Sequence, residues 1–123
     1  MKIALIGAGN VAWHLGKALY SAGHEIVAVY APTASHREAL AKELPPAIPL
    51  PTLDLTATDA ELVLIAVPDA ALASVAATIK VVEGTIVAHT SGSQPLTTLQ
   101  AIPGAWAGVF YPLQTFSKSK PID

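Results

Sequence analysis

The sequence contains no cysteine among its 123 residues. This absence excludes disulfide bonds, thiolate metal sites and cysteine nucleophiles, and it suits a reducing cytoplasm, where we expect this protein. Charged residues are scarce at 13%, and the net charge is -2. A chain without a positive excess is a poor candidate for binding nucleic acid through the phosphate backbone.

Long apolar runs are absent too, although hydrophobic residues make up 52% of the chain. Gly, Asn, His, Pro or Asp interrupts each apolar stretch before it reaches the roughly 20 residues that a membrane span needs. The apolar start is interrupted at residues 7–10, too early for a signal-peptide core. The composition therefore predicts one compact soluble domain and excludes a disordered chain.

What the sequence does contain is an alternation of apolar blocks of strand length with helix-like segments. This pattern is typical of a parallel sheet whose two faces are covered by crossover helices. We expect a doubly wound α/β fold with the strand order 3-2-1-4-5-6. The expected strands are 3–6, 25–30, a short edge strand around 48, 62–67, 85–88 and 107–110, and the expected helices are 10–22, 35–44, 70–79 and 95–100.

The turn after the first expected strand has the pattern G-x-G-x-x-A. Its position between an apolar strand and an amphipathic helix makes an otherwise weak pattern informative. Gly7 permits a tight turn, Gly9 lets the backbone approach a pyrophosphate at the helix N-terminus, and Ala12 lets helix and strand pack closely. A turn that serves only the backbone is the alternative. We expect the cofactor-binding turn to consist of Gly7, Ala8, Gly9, Asn10 and Val11.

The end of the second expected strand bears on which dinucleotide fits. A carboxylate about 20 residues after the glycines would hold the ribose hydroxyls of NAD, and this sequence has none there. Thr33, Ser35 and Arg37 follow instead, and an arginine can pair bidentately with the 2′-phosphate of NADP. We therefore expect NADP rather than NAD, with a solvated Arg37 on the second helix as the alternative.

Four segments together resemble the N-terminal domain of a bacterial oxidoreductase family. They are the glycine turn, Ala-Val-Pro-Asp at 66–69, His-Thr-Ser-Gly at 89–92 and Tyr-Pro-Leu-Gln-Thr-Phe at 111–116. The family is similar to pyrroline-5-carboxylate reductase, the deazaflavin-dependent NADP reductases and the 3-hydroxyacid dehydrogenases. The resemblance covers nearly the whole chain. It implies a Rossmann-like dinucleotide-binding domain over residues 1–116, a linker-like tail at 117–123, and a helical, dimer-forming C-terminal half.

The resemblance also bears on the cofactor site. In such relatives the second strand typically ends in Ser-Arg or Asn-Arg, and the arginine grips the 2′-phosphate. This chain has Ala31-Pro32 there, which leaves Arg37 and His36 as the substitutes and NAD as the less favoured cofactor. Val67 and Pro68, in the second of the four segments, are further expected cofactor-binding residues.

His89 and Ser91 are the candidate catalytic residues, because they follow the fifth expected strand at the sheet edge where ligands bind. His89 could transfer a proton to a substrate oxygen or nitrogen as hydride moves, or it could only bond a neighbouring carbonyl. Ser91 could bind a substrate carboxylate or cap the following helix. Asp69 is expected to cap the helix after Pro68, and Trp106 is expected to be a packing anchor.

Together these residues predict the NADP-binding part of an oxidoreductase that moves hydride to or from a small carbonyl, imine or hydroxyacid, and that is inactive alone. A non-enzymatic NADP(H)-binding or assembly module is the alternative, favoured by the lack of a lysine or carboxylate near the expected cleft. A methyltransferase using S-adenosylmethionine is disfavoured, because no acid ends the second strand. The expected partners are the dinucleotide, a small-molecule substrate and a second copy of the full-length protein, without a metal, nucleic acid or membrane.

Overall fold

The computed structural model describes residues 1–90, Leu99 and residues 102–109. Strands and helices alternate through most of this part of the chain, as the sequence predicts. The elements are β1 (Lys2–Ile6), α1 (Asn10–Ser21), β2 (Glu25–Tyr30), α2 (Ala34–Lys42), β3 (Ile48–Leu50), β4 (Leu62–Ile65), α3 (Asp69–Thr78), β5 (Ile86–His89) and β6 (Trp106–Val109).

The strands form one parallel sheet in the order β3-β2-β1-β4-β5-β6, which confirms the predicted order and fold class. The direction of winding reverses between β1 and β4, which are neighbours in the sheet. In open α/β sheets, a crevice forms at such a reversal, outside the carboxyl ends of the strands. The fold thus places the glycine turn after β1 at the edge where ligands bind.

Strand β1 is buried on both faces of the sheet. Successive side chains of a strand point to opposite faces. Ile3 and Leu5 belong to a core that also contains residues of α1 and α2. Ala4 and Ile6 belong to a second core that contains residues of α3. This two-sided burial explains why β1 has a continuous apolar sequence instead of an alternating one.

Small residues on α1 let this helix lie close to the sheet. Ala12 is completely buried in the same core as Leu5, as its place in the glycine motif predicts. An added Cβ on Gly16 would lie 2.9 Å from the Leu5 Cδ2 atom. The close contact between α1 and β1 fixes the turn that joins them.

The predicted capping role of Asp69 is wrong. Strand β4 ends at Ile65, two residues earlier than expected, and Pro68 takes the N-cap position of α3 with an extended backbone. Proline favours that conformation and lacks an N–H group that would need a partner. Asp69 is therefore the first residue of α3, with its carboxylate in the first turn.

The packing role predicted for Trp106 is wrong as well, because this side chain is 71% exposed at the start of β6. The helix expected at 95–100 lies outside the described residues except for Leu99, which is helical and buried. In the described part of the chain, none of the helices is both long and apolar enough to cross a membrane.

Candidate functional site

Two cavities open beside the glycine turn at the carboxyl ends of the strands. The larger has a volume of about 570 Å³, which lies within the range of small-molecule sites. Among the described residues, no carboxylate lines this cavity. Its wall includes Gly7, Ala8 and Gly9 of the turn, Tyr30, Ala31, Pro32 and His36 at the end of β2 and on α2, Val67 and Pro68 after β4, and Ser74 and Thr78 of α3.

The smaller cavity has a volume of about 330 Å³. It shares Gly9, Val67 and Pro68 with the larger one, so the two cavities adjoin. Asp69 is the one carboxylate among the described residues that line it, and sequence reasoning missed this placement. The signal was available, because α3 starts at the same sheet edge as α1. The other lining residues are Asn10, Val11, Ala66 and Thr90.

The two glycines of the turn have different roles. Gly7 has a φ of 121°, which favours glycine, and its N–H group donates to the carbonyl oxygen of Tyr30 at 2.7 Å. A Cβ on Gly7 would overlap the carbonyl oxygen of Ala66. Gly7 is thus required by the backbone. A Cβ on Gly9 would meet nothing within 4 Å and would project into open space, so Gly9 leaves room for a ligand.

Helix α1 begins at this turn in a form that suits an anion. Gly9 is its N-cap and makes no side-chain capping bond, and its first turn contains no acidic residue. The N-terminus of a helix carries a partial positive charge and N–H groups without helical partners. Together with the space beside Gly9, this arrangement fits the pyrophosphate group of a dinucleotide.

Of the polar residues expected to recognise the ribose, the structure brings His36 to the wall of the larger cavity. Thr33 is the N-cap of α2, and Ser35 is exposed; neither is among the described residues that line the cavity. The guanidinium Nη1 of Arg37 donates to the carbonyl oxygens of Ala31 at 2.9 Å and Pro32 at 3.4 Å. A phosphate contact from Arg37 stays a prediction.

His89 lies at the carboxyl end of β5, where the sequence places it, but its side chain is 0% exposed. This burial lowers the pKa of His89 below the ordinary histidine value, and the nearby charge of Asp69 opposes the shift. The imidazole is therefore neutral at neutral pH. Thr90, the next residue, lines the smaller cavity. The catalytic role of His89 stays a prediction, and Ser91 lies outside the described residues.

The histidines and carboxylates of the described ranges do not form a metal site, because nowhere do three or more of them come together. The described polar side chains that line the two cavities are Tyr30, His36, Ser74 and Thr78 in the larger one and Asn10, Asp69 and Thr90 in the smaller one. Groups of these kinds can bind and orient an organic ligand.

A parallel sheet with a winding reversal, and a glycine turn that opens a helix at that reversal, define a doubly wound α/β domain of the nucleotide-binding type. A family model described as "Rossmann-like domain" matches residues 1–110. The chain belongs to this Rossmann-like domain family.

Solved structures show the same fold. The chain is similar to a protein from Bacteroides fragilis described as a candidate NADP oxidoreductase, with 36% identity, a TM-score of 0.74, and coverage of 94% of this chain and 45% of that one. It also resembles the Synechocystis arogenate dehydrogenase, with 20% identity, a TM-score of 0.64 and coverage of 82% and 38%. An imine reductase from a Pseudomonas species matches with 18% identity, a TM-score of 0.63 and coverage of 80% and 34%.

These neighbours are oxidoreductases, and the chain spans less than half the length of each. No curated protein sequence matches the chain. The likeness to the arogenate dehydrogenase and to the imine reductase, at low identity, shows the fold alone. The likeness to the Bacteroides fragilis protein is closer in sequence and extends over nearly all of this chain.

Proposed function

We propose that this chain is the cofactor-binding domain of an NADP-dependent oxidoreductase. The observation that carries the proposal is the position of Gly9. Its missing Cβ leaves open space where the two cavities adjoin, directly at the N-terminus of α1. A pyrophosphate joins the two halves of a dinucleotide. In the same way, the space at Gly9 joins two cavities, one for each half.

In this arrangement, the backbone N–H groups at the start of α1 bind the pyrophosphate, with Asn10 and Val11 in the first turn. The adenosine half occupies the larger cavity, between Tyr30 of β2 and α3. The nicotinamide half occupies the smaller cavity, beside Pro68 and Thr90. Val67 and Pro68 contact both halves because they line both cavities.

Two observations support NADP over NAD. Among the described residues, no carboxylate lines the larger cavity, so the group that would hold the two ribose hydroxyls of NAD is missing there. The start of α2 instead supplies Ser35, His36 and Arg37, which can donate to a phosphate. The Bacteroides fragilis neighbour, described as a candidate NADP oxidoreductase, is consistent with this choice.

The chemistry that such a dinucleotide supplies is hydride transfer, and we propose a small carbonyl, imine or hydroxyacid as the substrate. His89 is the proposed proton-transfer residue, with Ser91 beside it in sequence. Asp69 lines the smaller cavity, so the cleft does contain a carboxylate, and the main argument for a non-enzymatic module no longer applies.

The rest of the enzyme is also part of the proposal. The neighbours are more than twice as long as this chain, which supports a second domain that completes the substrate site. We propose that residues 1–116 form the dinucleotide-binding domain and that 117–123 lead toward a helical domain through which the full-length protein dimerises in the cytoplasm.

Isothermal titration calorimetry of the chain with NADPH, NADH and S-adenosylmethionine tests the cofactor. NADPH should bind about tenfold more tightly than NADH, as expected for charge-assisted bonds to one phosphate. S-adenosylmethionine lacks a pyrophosphate and should not compete. Tighter binding of S-adenosylmethionine than of either dinucleotide would refute the proposal.

A further inference from the structure

Arg37 connects α2 to the loop that precedes it through hydrogen bonds. Its Nη1 atom donates to the carbonyl oxygens of Ala31, at 2.9 Å, and Pro32, at 3.4 Å. Both residues form the wall of the larger cavity. The side chain is half-buried, so it is held along the loop and does not extend into solvent. A guanidinium that is bonded to two loop carbonyls stabilises one loop conformation.

His36 occupies a different environment although it precedes Arg37 directly. Adjacent residues of a helix do not share a face. His36 is exposed and lines the larger cavity, whereas Arg37 does not belong to the described lining. The other polar side chains in that wall are Tyr30, Ser74 and Thr78, none of which carries a charge at neutral pH.

We propose, on the basis of the NADP site proposed above, that Arg37 is a positioning residue for the loop, whereas His36 contacts the 2′-phosphate and sets the preference for NADP. The side chain of His36 can reach a phosphate in the larger cavity, whereas the guanidinium of Arg37 is already bonded to the loop. The charged neighbours of His36 on its own helix are Arg37 and Glu38, and neither lines the cavity.

Adenosine 5′-monophosphate and adenosine 2′,5′-bisphosphate isolate the two contributions, because they differ only in the 2′-phosphate. Calorimetric titration of the full chain gives the ratio of the two dissociation constants. For the wild type, the bisphosphate should bind about tenfold more tightly than the monophosphate.

His36→Gln keeps a polar side chain and removes the imidazole. In this variant the preference for the bisphosphate should fall to about threefold or less, whereas the affinity for adenosine 5′-monophosphate should stay within about twofold of the wild type. His14→Gln, on the exposed side of α1, is the matched control and should behave as the wild type.

Arg37→Ala tests whether Arg37 stabilises the loop. Both ligands should bind more weakly by a similar factor, about threefold or more, because the loop that forms their common wall is released. Their ratio should stay within about twofold of the wild-type ratio. Arg37→Lys keeps a charged terminal nitrogen but not the planar guanidinium geometry, so it should recover only part of the affinity. Lys42→Ala removes a positive charge from the far end of α2 and is the control for net charge.

The proposal is overturned if Arg37→Ala abolishes the preference and leaves the affinity for adenosine 5′-monophosphate unchanged, because Arg37 would then contact the phosphate itself. It is also overturned if His36→Gln keeps the wild-type preference for the bisphosphate. A wild-type chain that binds neither nucleotide and neither dinucleotide would instead refute the proposed function. The outcomes for the two proposals are thus distinguishable.

Discussion

Replacement of Gly9 or Gly7 by alanine should have opposite effects on stability and binding, although the two glycines are two residues apart. Gly9 has a φ of -85° and a ψ of -168°, which any residue adopts, and an added Cβ would meet nothing within 4 Å. The free energy of unfolding of Gly9→Ala should therefore change by less than about 1 kcal/mol. Its Cβ occupies the space proposed for the pyrophosphate, so the affinity for NADPH should fall at least about tenfold, or about 1.4 kcal/mol.

Gly7→Ala should instead unfold more readily. At a φ of 121°, a side chain is strained by about 1–3 kcal/mol. The added Cβ would also lie 2.9 Å from the carbonyl carbon of Ala66 and closer still to its oxygen, so the backbone just after β4 must shift. We expect a loss of at least about 2 kcal/mol in the free energy of unfolding.

Gly23→Ala separates the two causes of that loss. Gly23 has a φ of 98°, but a Cβ there would meet nothing within 4 Å, and the residue lies in the turn between α1 and β2. In this control, the free energy of unfolding should fall only by the strain of a side chain at positive φ, about 1–2 kcal/mol, and the binding of NADPH should not change. Urea denaturation and calorimetric titration of the three variants provide the measurements. Wild-type affinity in Gly9→Ala would refute the placement of the pyrophosphate, and equal stability of Gly7→Ala and Gly23→Ala would refute the clash with Ala66.

Two further predictions concern Asp69, which lines the smaller cavity, and the buried His89. In calorimetry, Asp69→Asn should bind NADPH about two- to fivefold more tightly, because a negative charge near the phosphates is removed. Its free energy of unfolding should fall by about 0.3–1 kcal/mol, because the carboxylate no longer interacts with the N-terminus of α3. The control Asp59→Asn, at the amino ends of the strands, should bind NADPH as the wild type does. Because burial lowers the pKa of His89, the unfolded state binds more protons below the ordinary histidine pKa, and the free energy of unfolding should fall from about pH 7.5 to about pH 5.5. In urea denaturation of His89→Asn, the free energy of unfolding should depend less steeply on pH. An unchanged slope would show that His89 does not cause the pH dependence, since the lowered carboxyl pKa values of Asp54 and Asp59 act at more acidic pH.

The sheet could be predicted from the sequence because its physical causes are local and repeated. Each strand is a short apolar block, and each helix has a buried face, so the alternation alone indicates parallel strands with crossovers. The ends of elements were less predictable, as Pro68 shows. An apolar run continues through residue 67, but the ladder between β4 and β5 pairs the chain only as far as Ile65 and His89. Backbone pairing, which the side-chain pattern does not report, sets the end of the strand.

The candidate site was predictable in its backbone part and less so in its side chains. The glycine turn could be predicted because the G-x-G-x-x-A pattern lies between an apolar strand and an amphipathic helix. Whether His36 or Arg37 reaches the cavity depends on the direction of each side chain from α2 and on the carbonyls nearby. Both depend on the tertiary structure and cannot be inferred from the sequence. Likewise, Trp106 is a large apolar residue in a strand, and its exposure is decided by what covers the sheet at β6.

The difference between the starts of α1 and α3 supports the proposed placement of the pyrophosphate at α1. Both helices begin at the same edge of the sheet, and both would attract an anion through their dipoles. The first turn of α3 already carries the carboxylate of Asp69, whereas the first turn of α1 carries no acidic residue. In the proposed complex, the pyrophosphate is therefore favoured at α1 over α3. The proposed place of the nicotinamide half, beside Thr90, would put the reactive end of the cofactor near the end of β5, the strand that His89 ends.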